Sequence, residues 1–256
     1  MTATDAADTT GGPPPGRDAE RPRWGVLDVV AAFLVAQIAS GIGLAVFSSA
    51  KGVPIEDLTE EALSLGEIAL LQLPLWLGLL VVPLVATRVR GNGAVHDLGL
   101  WTRWSDAPVG LLIGVACQLV LVPLVTWPLL ELTNSSSDDV SERAEILADK
   151  AAGPGVLLLF LVLAVGAPVA EEVFYRGLLQ RTMARKVPIW PTMVIVALLF
   201  AATHGLGEVE RLRFPALAIF GLVLSYLAHR TGRLGTSIWA HVGFNATTVV
   251  LLSVAG

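Results

Sequence analysis

The chain has 256 residues, of which 54% are hydrophobic and 15% are charged, and its mean hydropathy is +0.69. Soluble domains carry about 25% charged residues, and the apolar residues here lie in long blocks, so the composition indicates an integral membrane protein. The formal net charge is −5, and no basic stripe interleaved with aromatic residues is present, so no nucleic-acid partner is predicted. The single cysteine, Cys117, excludes an intramolecular disulfide.

The amino-terminal segment differs in composition from the rest of the chain. Residues 1–23 are rich in Gly, Pro, Thr and Asp and contain no apolar run, which predicts a disordered cytoplasmic tail. The segment also lacks the apolar centre of a signal peptide, so we expect no cleavage there. The first hydrophobic block should therefore remain as a membrane anchor.

Seven apolar blocks separated by charged residues follow, and each is a candidate membrane span. The fold class is therefore predicted to be all-α, a polytopic bundle of about seven to eight transmembrane helices. The fifth and sixth blocks are short, which indicates tilted, sheltered or partly re-entrant segments. The blocks are 24–47, 68–87, 109–132, 155–173, 189–203, 214–228 and 234–254.

The distribution of Lys and Arg predicts the orientation. If the tail is cytoplasmic, eleven of the 17 Lys and Arg residues fall in inside segments and five in outside segments, while Arg176 lies next to a span. The segments assigned to the outside are also acidic, as in "EDLTEE" and "SSSDDVSERAEILADK". We therefore expect a multi-pass protein of the cell membrane with its N-terminus in the cytoplasm.

Three ionisable residues end the fourth apolar block, in "APVAEEVFYRGLLQR" at 167–181. Charged groups inside a membrane helix are costly, so they are functional candidates. Glu172 and Arg176 have the i,i+4 spacing of an ion pair, and Glu171 points about 100° away from Glu172. This spacing predicts one neutralised carboxylate and one free carboxylate, although a helix that has reached the interface would look the same.

Two further motifs place polar side chains in late blocks. "FAATH" ends at His204, and "HVGFN" puts His241 and Asn245 four residues apart on one helix face. Each motif alone could have a purely structural role. The first could be a hydrogen-bonded histidine in the core, and the second a pair that forms hydrogen bonds between helices. By the predicted orientation, Glu171 lies near the cytoplasmic end of its block and His204 near the opposite end of the next. The sequence therefore predicts a mismatch in depth between them. His229 is interpreted as a solvated helix end.

The three ordered motifs, EExxxR, FxxxH and HxxxN, together resemble the CAAX-protease and bacteriocin-processing (CPBP or Abi) family of intramembrane endopeptidases. The resemblance covers about residues 155–250, which would be the protease core. Residues 24–154 would then be a scaffold of three spans with an acidic loop, and 251–256 the carboxy-terminal end. Family members have a helix bundle around an inner cavity, often with eight spans. The resemblance implies a site that opens towards the cytoplasm.

The resemblance also implies roles for individual residues. Glu171, helped by His204, would remove a proton from water, and His241 with Asn245 would stabilise the oxyanion. A competing mechanism uses a zinc ion held by Glu171, His204 and His241, and both versions stay open at this stage. The residues implied as catalytic are Glu171, Glu172, Arg176, His204, His241 and Asn245.

The implied partners are the lipid bilayer and a membrane-associated protein or peptide substrate. Relatives of this family include enzymes that trim prenylated proteins and others linked to bacteriocin processing, and the composition does not distinguish between them. A non-proteolytic protein is the alternative, either an ion- or proton-linked transporter or a scaffold without catalysis. We find no internal repeat of the kind that many transporters carry.

Overall fold

A computed structural model of the chain describes residues 22–59, 61–133, 160–204 and 208–255, together with isolated positions between 146 and 158. The predicted disordered tail lies almost wholly outside the described residues, as do most of the acidic segment 135–150 and the proposed domain boundary near 155. The division into scaffold and protease core therefore stays a prediction.

The described part of the chain is all-α, as predicted. Single helical turns at Ile55–Asp57 and Ala94–Asp97 lie between the longer helices. Each longer helix overlaps one of the seven predicted apolar blocks. The helices are α1 (Val26–Lys51), α2 (Leu65–Arg90), α3 (Asp106–Thr133), α4 (160–184), α5 (Ile189–Ala202), α6 (Glu208–Thr231) and α7 (Gly235–Ala255).

Four of the described helices are long and apolar enough to cross a membrane: α1, α2, α3 and the Arg211–Thr231 part of α6. These helices identify an integral membrane protein. Helix α5 has only 14 residues and is short, as the sequence predicted. The total of seven to eight spans stays a prediction.

Two of the predicted block boundaries were wrong, and the more important one concerns α4. The fourth block was predicted to end at residue 173, but the helix continues without a break to Ala184. The sixth was predicted to be short, but α6 has 24 residues. The fourth boundary failed because Glu172, Arg176 and Gln180 are buried against neighbouring helices, where other protein groups replace water.

The longer α4 removes the predicted mismatch in depth. Glu171 lies thirteen residues before Ala184, and His204 lies fifteen residues after Ile189, where the antiparallel α5 begins. At about 1.5 Å per residue, both residues are roughly 20 Å from the turn between α4 and α5. The prediction that Glu171 sits near a helix end was therefore wrong, because Glu171 lies in the middle of α4.

Helix α4 has an irregular backbone around its glutamates. Two stretches of wide π-type turns, Phe160–Gly166 and Val173–Leu179, flank the α-helical turns Ala167–Glu172. Such turns occur preferentially at functional sites, because they change the direction in which neighbouring side chains point. The π turns thus bracket the segment that carries both glutamates.

Small residues on α3 position α7. A Cβ atom on Gly114 would collide with the carbonyl oxygen of Ala240, and one on Gly110 would lie 2.6 Å from Cβ of Trp239. The two glycines form a GxxxG pattern, which lets membrane helices approach backbone to backbone. The predicted scaffold therefore packs directly on the helix that carries His241 and Asn245.

An ionic anchor fixes the start of α7. Asp106, the first residue of α3, accepts two hydrogen bonds from the Arg233 guanidinium, at 2.7 Å from Nε and 2.6 Å from Nη2. Asp106 also accepts a hydrogen bond of 2.7 Å from the Thr236 hydroxyl. The carboxylate is buried, and paired, bidentate hydrogen bonds of this kind define a single orientation. The Asp106–Arg233 ion pair therefore connects α3 to the start of α7, and close packing at the α3 glycines holds the two helices together along their length.

Candidate active site

The predicted Glu172–Arg176 ion pair is present in the centre of the bundle. Arg176 Nη1 donates to Glu172 Oε1 at 2.7 Å, and both side chains are fully buried. Arg176 Nη2 donates to the Gly221 carbonyl at 3.1 Å, and the guanidinium lies 4.5 Å from the Phe200 ring centroid. The pair thus links α4 to α5 and α6, and Arg176 compensates the buried charge of Glu172.

His241 continues this network from α7. Its Nδ1 lies 3.0 Å from Glu172 Oε1, and since the paired carboxylate can only accept, Nδ1 carries the proton. The opposite nitrogen, Nε2, faces Glu171 Oε2 at 3.8 Å. The rings of Phe200 and Phe220 each contact the imidazole edge-on at a centroid distance of 5.6 Å. Hydrogen bond and ring contacts together fix which nitrogen points at Glu171.

His204 is oriented in the same manner from α5. Its Nδ1 lies 2.8 Å from the Phe200 carbonyl oxygen, which can only accept, so Nδ1 is the donor. Nε2 then faces Glu171 Oε2 at 3.9 Å. The imidazole also packs on the Phe200 ring, with 4.6 Å between centroids. Each of the two histidines therefore directs its Nε2 at Oε2 of Glu171.

Glu171 is the carboxylate on which these contacts converge. Its Oε2 atom is buried and makes no hydrogen bond within the described part of the chain, while its side chain is 18% exposed. Distances of 3.8 and 3.9 Å are too long for direct hydrogen bonds. Helices α4, α5 and α7 thus bring together Glu171, His204 and His241 around one polar point.

Asn245 lies one turn after His241 and contacts α4 at a different point. Its Nδ2 donates a hydrogen bond of 2.7 Å to the Leu163 carbonyl, in the first π stretch of α4. A carbonyl oxygen has two lone pairs and can accept this bond besides any helical one. The amide therefore helps to hold α7 against α4, and its second N–H remains for another acceptor.

Two residues around His204 escaped the sequence analysis. The Thr203 hydroxyl donates to the Phe200 carbonyl at 2.9 Å, so the buried Tyr175 hydroxyl is the donor in its 2.7 Å contact with Thr203 Oγ1. Tyr175 follows Glu171 by four residues, and Thr203 directly precedes His204. This i,i+4 position within the first motif was the available signal. Both residues connect α4 to the turn that holds His204.

The side chains of Glu171, His204 and His241 are spaced more widely than the ligands of a zinc ion. Two ligands of a tetrahedral zinc ion lie about 3.3 Å apart, given metal–ligand distances near 2.0 Å. The two Nε2 atoms are 3.8 and 3.9 Å from Glu171 Oε2, and no three His, Cys, Asp or Glu side chains among the described residues are arranged to hold a metal. The adjacent carboxylate, Glu172, already accepts hydrogen bonds from Arg176 and His241.

Comparison with known proteins gives three findings. Residues 153–247 match the family described as type II CAAX prenyl endopeptidase Rce1-like. The chain is also 31% identical over 110 residues to an Escherichia coli protein named "Uncharacterized 24.3 kDa protein", over 42% of this chain. The match spans about half, 49%, of that relative's length. No solved structure matches the chain significantly.

The family match and the geometry concern the same part of the molecule. The matched region contains the three motifs and every residue of the network around Glu171. The family resemblance drawn from the motifs is thus confirmed for residues 153–247, which match the Rce1-like type II CAAX prenyl endopeptidases of the CPBP family.

Proposed function

We propose that the chain is an intramembrane endopeptidase that hydrolyses a peptide bond in a membrane-associated protein or peptide. One observation carries the proposal: the free Glu171 carboxylate faces Nε2 of both His204 and His241 within 4 Å, while Glu172 is neutralised by Arg176. A free carboxylate beside oriented imidazoles is the chemistry that general-base hydrolysis requires. The match to the CAAX prenyl endopeptidase family supports the same reaction class.

The proposed nucleophile is a water molecule held between Glu171 and the two histidines. Neutral His204 carries its proton on Nδ1, so its Nε2 is an acceptor. A water hydrogen-bonded to Glu171 Oε2 and to His204 has one proton directed at each acceptor. Glu171 takes one proton as the water oxygen attacks the carbonyl carbon.

The developing oxyanion requires donors. With Nδ1–H donated to Glu172, a proton on Nε2 makes His241 the proposed main donor. The second N–H of Asn245 is the proposed neutral donor. As the C–N bond breaks, Glu171 returns its proton to the leaving amine, so water is divided between the new carboxyl group and the new amino group.

Glu172 and Arg176 have a positioning role in this proposal. Glu172 accepts from His241 Nδ1 and so determines that Nε2 points at the reacting water. Arg176 compensates the charge of Glu172 and spans to the Gly221 carbonyl, which ties the geometry of α4 to α6. Neither side chain contacts the proposed water.

The proposed mechanism needs no metal ion. The carboxylate and the imidazoles supply the base and the donors, and the spacing of the three side chains is wider than that of zinc ligands. The competing zinc version from the sequence analysis would use Glu171, His204 and His241 as ligands. A chelator experiment described below distinguishes the two versions.

The proposed substrate is attached to or embedded in the membrane, since Glu171 lies in the middle of a buried helix. The family match supports a prenylated protein as one substrate class, and bacteriocin precursors are the second class to test. The excess of Lys and Arg in alternate segments supports a cell-membrane protein with its N-terminus in the cytoplasm.

Peptide cleavage and ion flux, both measured on the same proteoliposomes, test the proposed function. We expect the purified chain to cleave membrane-anchored peptides, and the Glu171→Ala variant to leave them intact. Membrane peptidomes of cells that hold either form then identify the substrate, as fragments that only the intact protein produces. Ion or proton flux without any cleavage would overturn the proposal in favour of a transporter.

A further inference from the structure

A second polar site lies at the carboxy-terminal end of α4, on the far side of Arg176 from Glu171. A cavity of about 150 Å³, open to the surface on one side, lies between the end of α4, the start of α5 and the end of α6. Its mouth is formed by the exposed residues Ala184, His229 and Gly232, and its floor by the buried Arg176 and Gln180. The cavity is thus a funnel from the surface towards the centre of the bundle.

Gln180 provides a hydrogen-bond acceptor without a partner at the floor of the cavity. Its Nε2 donates to the Ser225 carbonyl at 3.0 Å, which fixes the orientation of the amide because a carbonyl only accepts. The side chain is 4% exposed, and its Oε1 has no hydrogen-bond partner within the described residues. Buried polar atoms are almost always hydrogen-bonded, so this oxygen indicates a ligand that donates a hydrogen bond.

Arg181 gives the wall an available positive charge. Its Nη2 donates to the Gly232 carbonyl at 2.7 Å, and the carboxylate that acts on its charge, Asp97, is itself hydrogen-bonded to Trp24 and Asn92. The imidazole of His229 lines the same cavity. An arginine held by a neutral carbonyl keeps its charge and donors for an anion, and a planar guanidinium is suited to phosphate.

An aromatic pair places the mouth of the cavity at the membrane surface. Trp190 and Tyr226 are 61% and 44% exposed, and their rings stack with 6.5 Å between centroids. Trp190 follows the lining residue Ile189, and Tyr226 precedes Ala228 by two positions. Exposed Trp and Tyr side chains concentrate at the level of lipid headgroups. The adjacent cavity therefore opens where lipid phosphates are found.

We propose that this cavity binds the headgroup of a phospholipid that carries a hydrogen-bond donor, such as phosphatidylglycerol. The phosphate accepts from Arg181 and His229, and a headgroup hydroxyl donates to Gln180 Oε1. A cavity of about 150 Å³ has room for a phosphate with a small headgroup while the acyl chains stay in the bilayer. Basic pockets between membrane helices are suited to this class of ligand.

The test measures lipid binding to the full chain. Delipidated protein in an uncharged maltoside detergent is titrated with phosphatidylglycerol, with phosphatidylcholine or with sodium phosphate, and bound copies are counted by native mass spectrometry. We expect one saturable copy of phosphatidylglycerol and weaker binding of phosphatidylcholine, which has no hydroxyl or N–H donor in its headgroup. Inorganic phosphate that binds as tightly as the lipid would overturn the lipid as the source of the anion.

Matched variants locate the site. Arg181→Gln and His229→Ala should each lower the affinity for phosphatidylglycerol about fivefold, the effect of one charge contact near a membrane surface. His229 is exposed, so its variant keeps the test valid if Arg181→Gln folds poorly. Arg230→Gln removes an exposed charge beside His229 that does not line the cavity, and it should leave the affinity unchanged. Equal losses in His229→Ala and Arg230→Gln would overturn the proposal, because general surface charge would then explain binding.

Discussion

Glu171 Oε2 and His204 Nε2 lie 3.9 Å apart, although the two residues come from different helices and are 33 positions apart in the sequence. The short turn between α4 and α5 makes this approach possible, because Glu171 and His204 lie at similar distances from the turn on antiparallel segments. His241 Nε2 reaches the same oxygen from α7 at 3.8 Å. The proposed chemistry depends on this convergence, and each element of it can be tested separately.

The first prediction concerns the proposed base. Glu171→Gln keeps the size of the side chain but cannot accept a proton, so cleavage should fall by about 10²- to 10⁴-fold, the contribution of general-base catalysis. Single-turnover cleavage of a membrane-anchored peptide measures the loss. Glu56→Gln, an exposed carboxylate outside the bundle, is the control and should retain wild-type turnover. Wild-type turnover in Glu171→Gln would reject the assignment.

The second prediction concerns the buried ion pair. Arg176→Met should lower the free energy of unfolding by about 3–5 kcal/mol, because Glu172 is left as an unpaired buried charge. Equilibrium unfolding in mixed micelles measures the change. The double variant Glu172→Gln/Arg176→Met removes the stranded charge and should recover part of the loss. A double variant less stable than Arg176→Met would contradict this account.

The third prediction concerns His204. Tyr175→Phe removes the hydrogen bond to Thr203, which braces the turn that carries His204, without touching the proposed water. The turnover number kcat should fall roughly three- to tenfold, as expected for one hydrogen bond, with KM unchanged. Thr203→Val should give a similar loss. A rise in KM alone would assign Tyr175 to substrate binding instead.

The fourth prediction concerns the scaffold. Gly114→Ala should displace α7 from α3, because the added methyl group meets the Ala240 carbonyl. We expect lower thermal stability and lower cleavage, although every residue of the site is unchanged. Gly41→Ala in α1 is the matched control, since nothing lies within 4 Å of its added Cβ, and it should be neutral. Equal effects of the two substitutions would show that the close α3–α7 contact is unimportant.

The fifth prediction distinguishes the two hydrolytic mechanisms. Dialysis of the purified protein against a strong chelator should leave cleavage unchanged, because the proposed base is the Glu171 carboxylate itself. Elemental analysis of the dialysed sample verifies that zinc has been removed. Loss of cleavage that added zinc restores would reject the metal-free mechanism and support zinc ligation by Glu171, His204 and His241.

The sequence was sufficient for features that depend on local spacing or on composition. Long apolar blocks predicted the approximate positions of the seven longer helices in the described part of the chain, because burial of a helix in lipid needs a continuous apolar run. The i,i+4 spacing predicted the Glu172–Arg176 pair, since helix geometry alone brings those residues together. The catalytic roles of the motif residues remain predictions.

Tertiary structure decided the depth and the direction of these side chains. Hydropathy ended α4 at its charged residues, since composition does not reveal that Glu172 and Arg176 would find partners on α5, α6 and α7. The tautomer of His241 depends on its contact with Glu172 of another helix, whereas that of His204 follows from a carbonyl one turn earlier in its own segment. Sequence therefore determined which groups enter the membrane, because the free-energy cost of burying them is a local property. Packing between helices decided where they meet, because that depends on contacts between residues far apart in the chain.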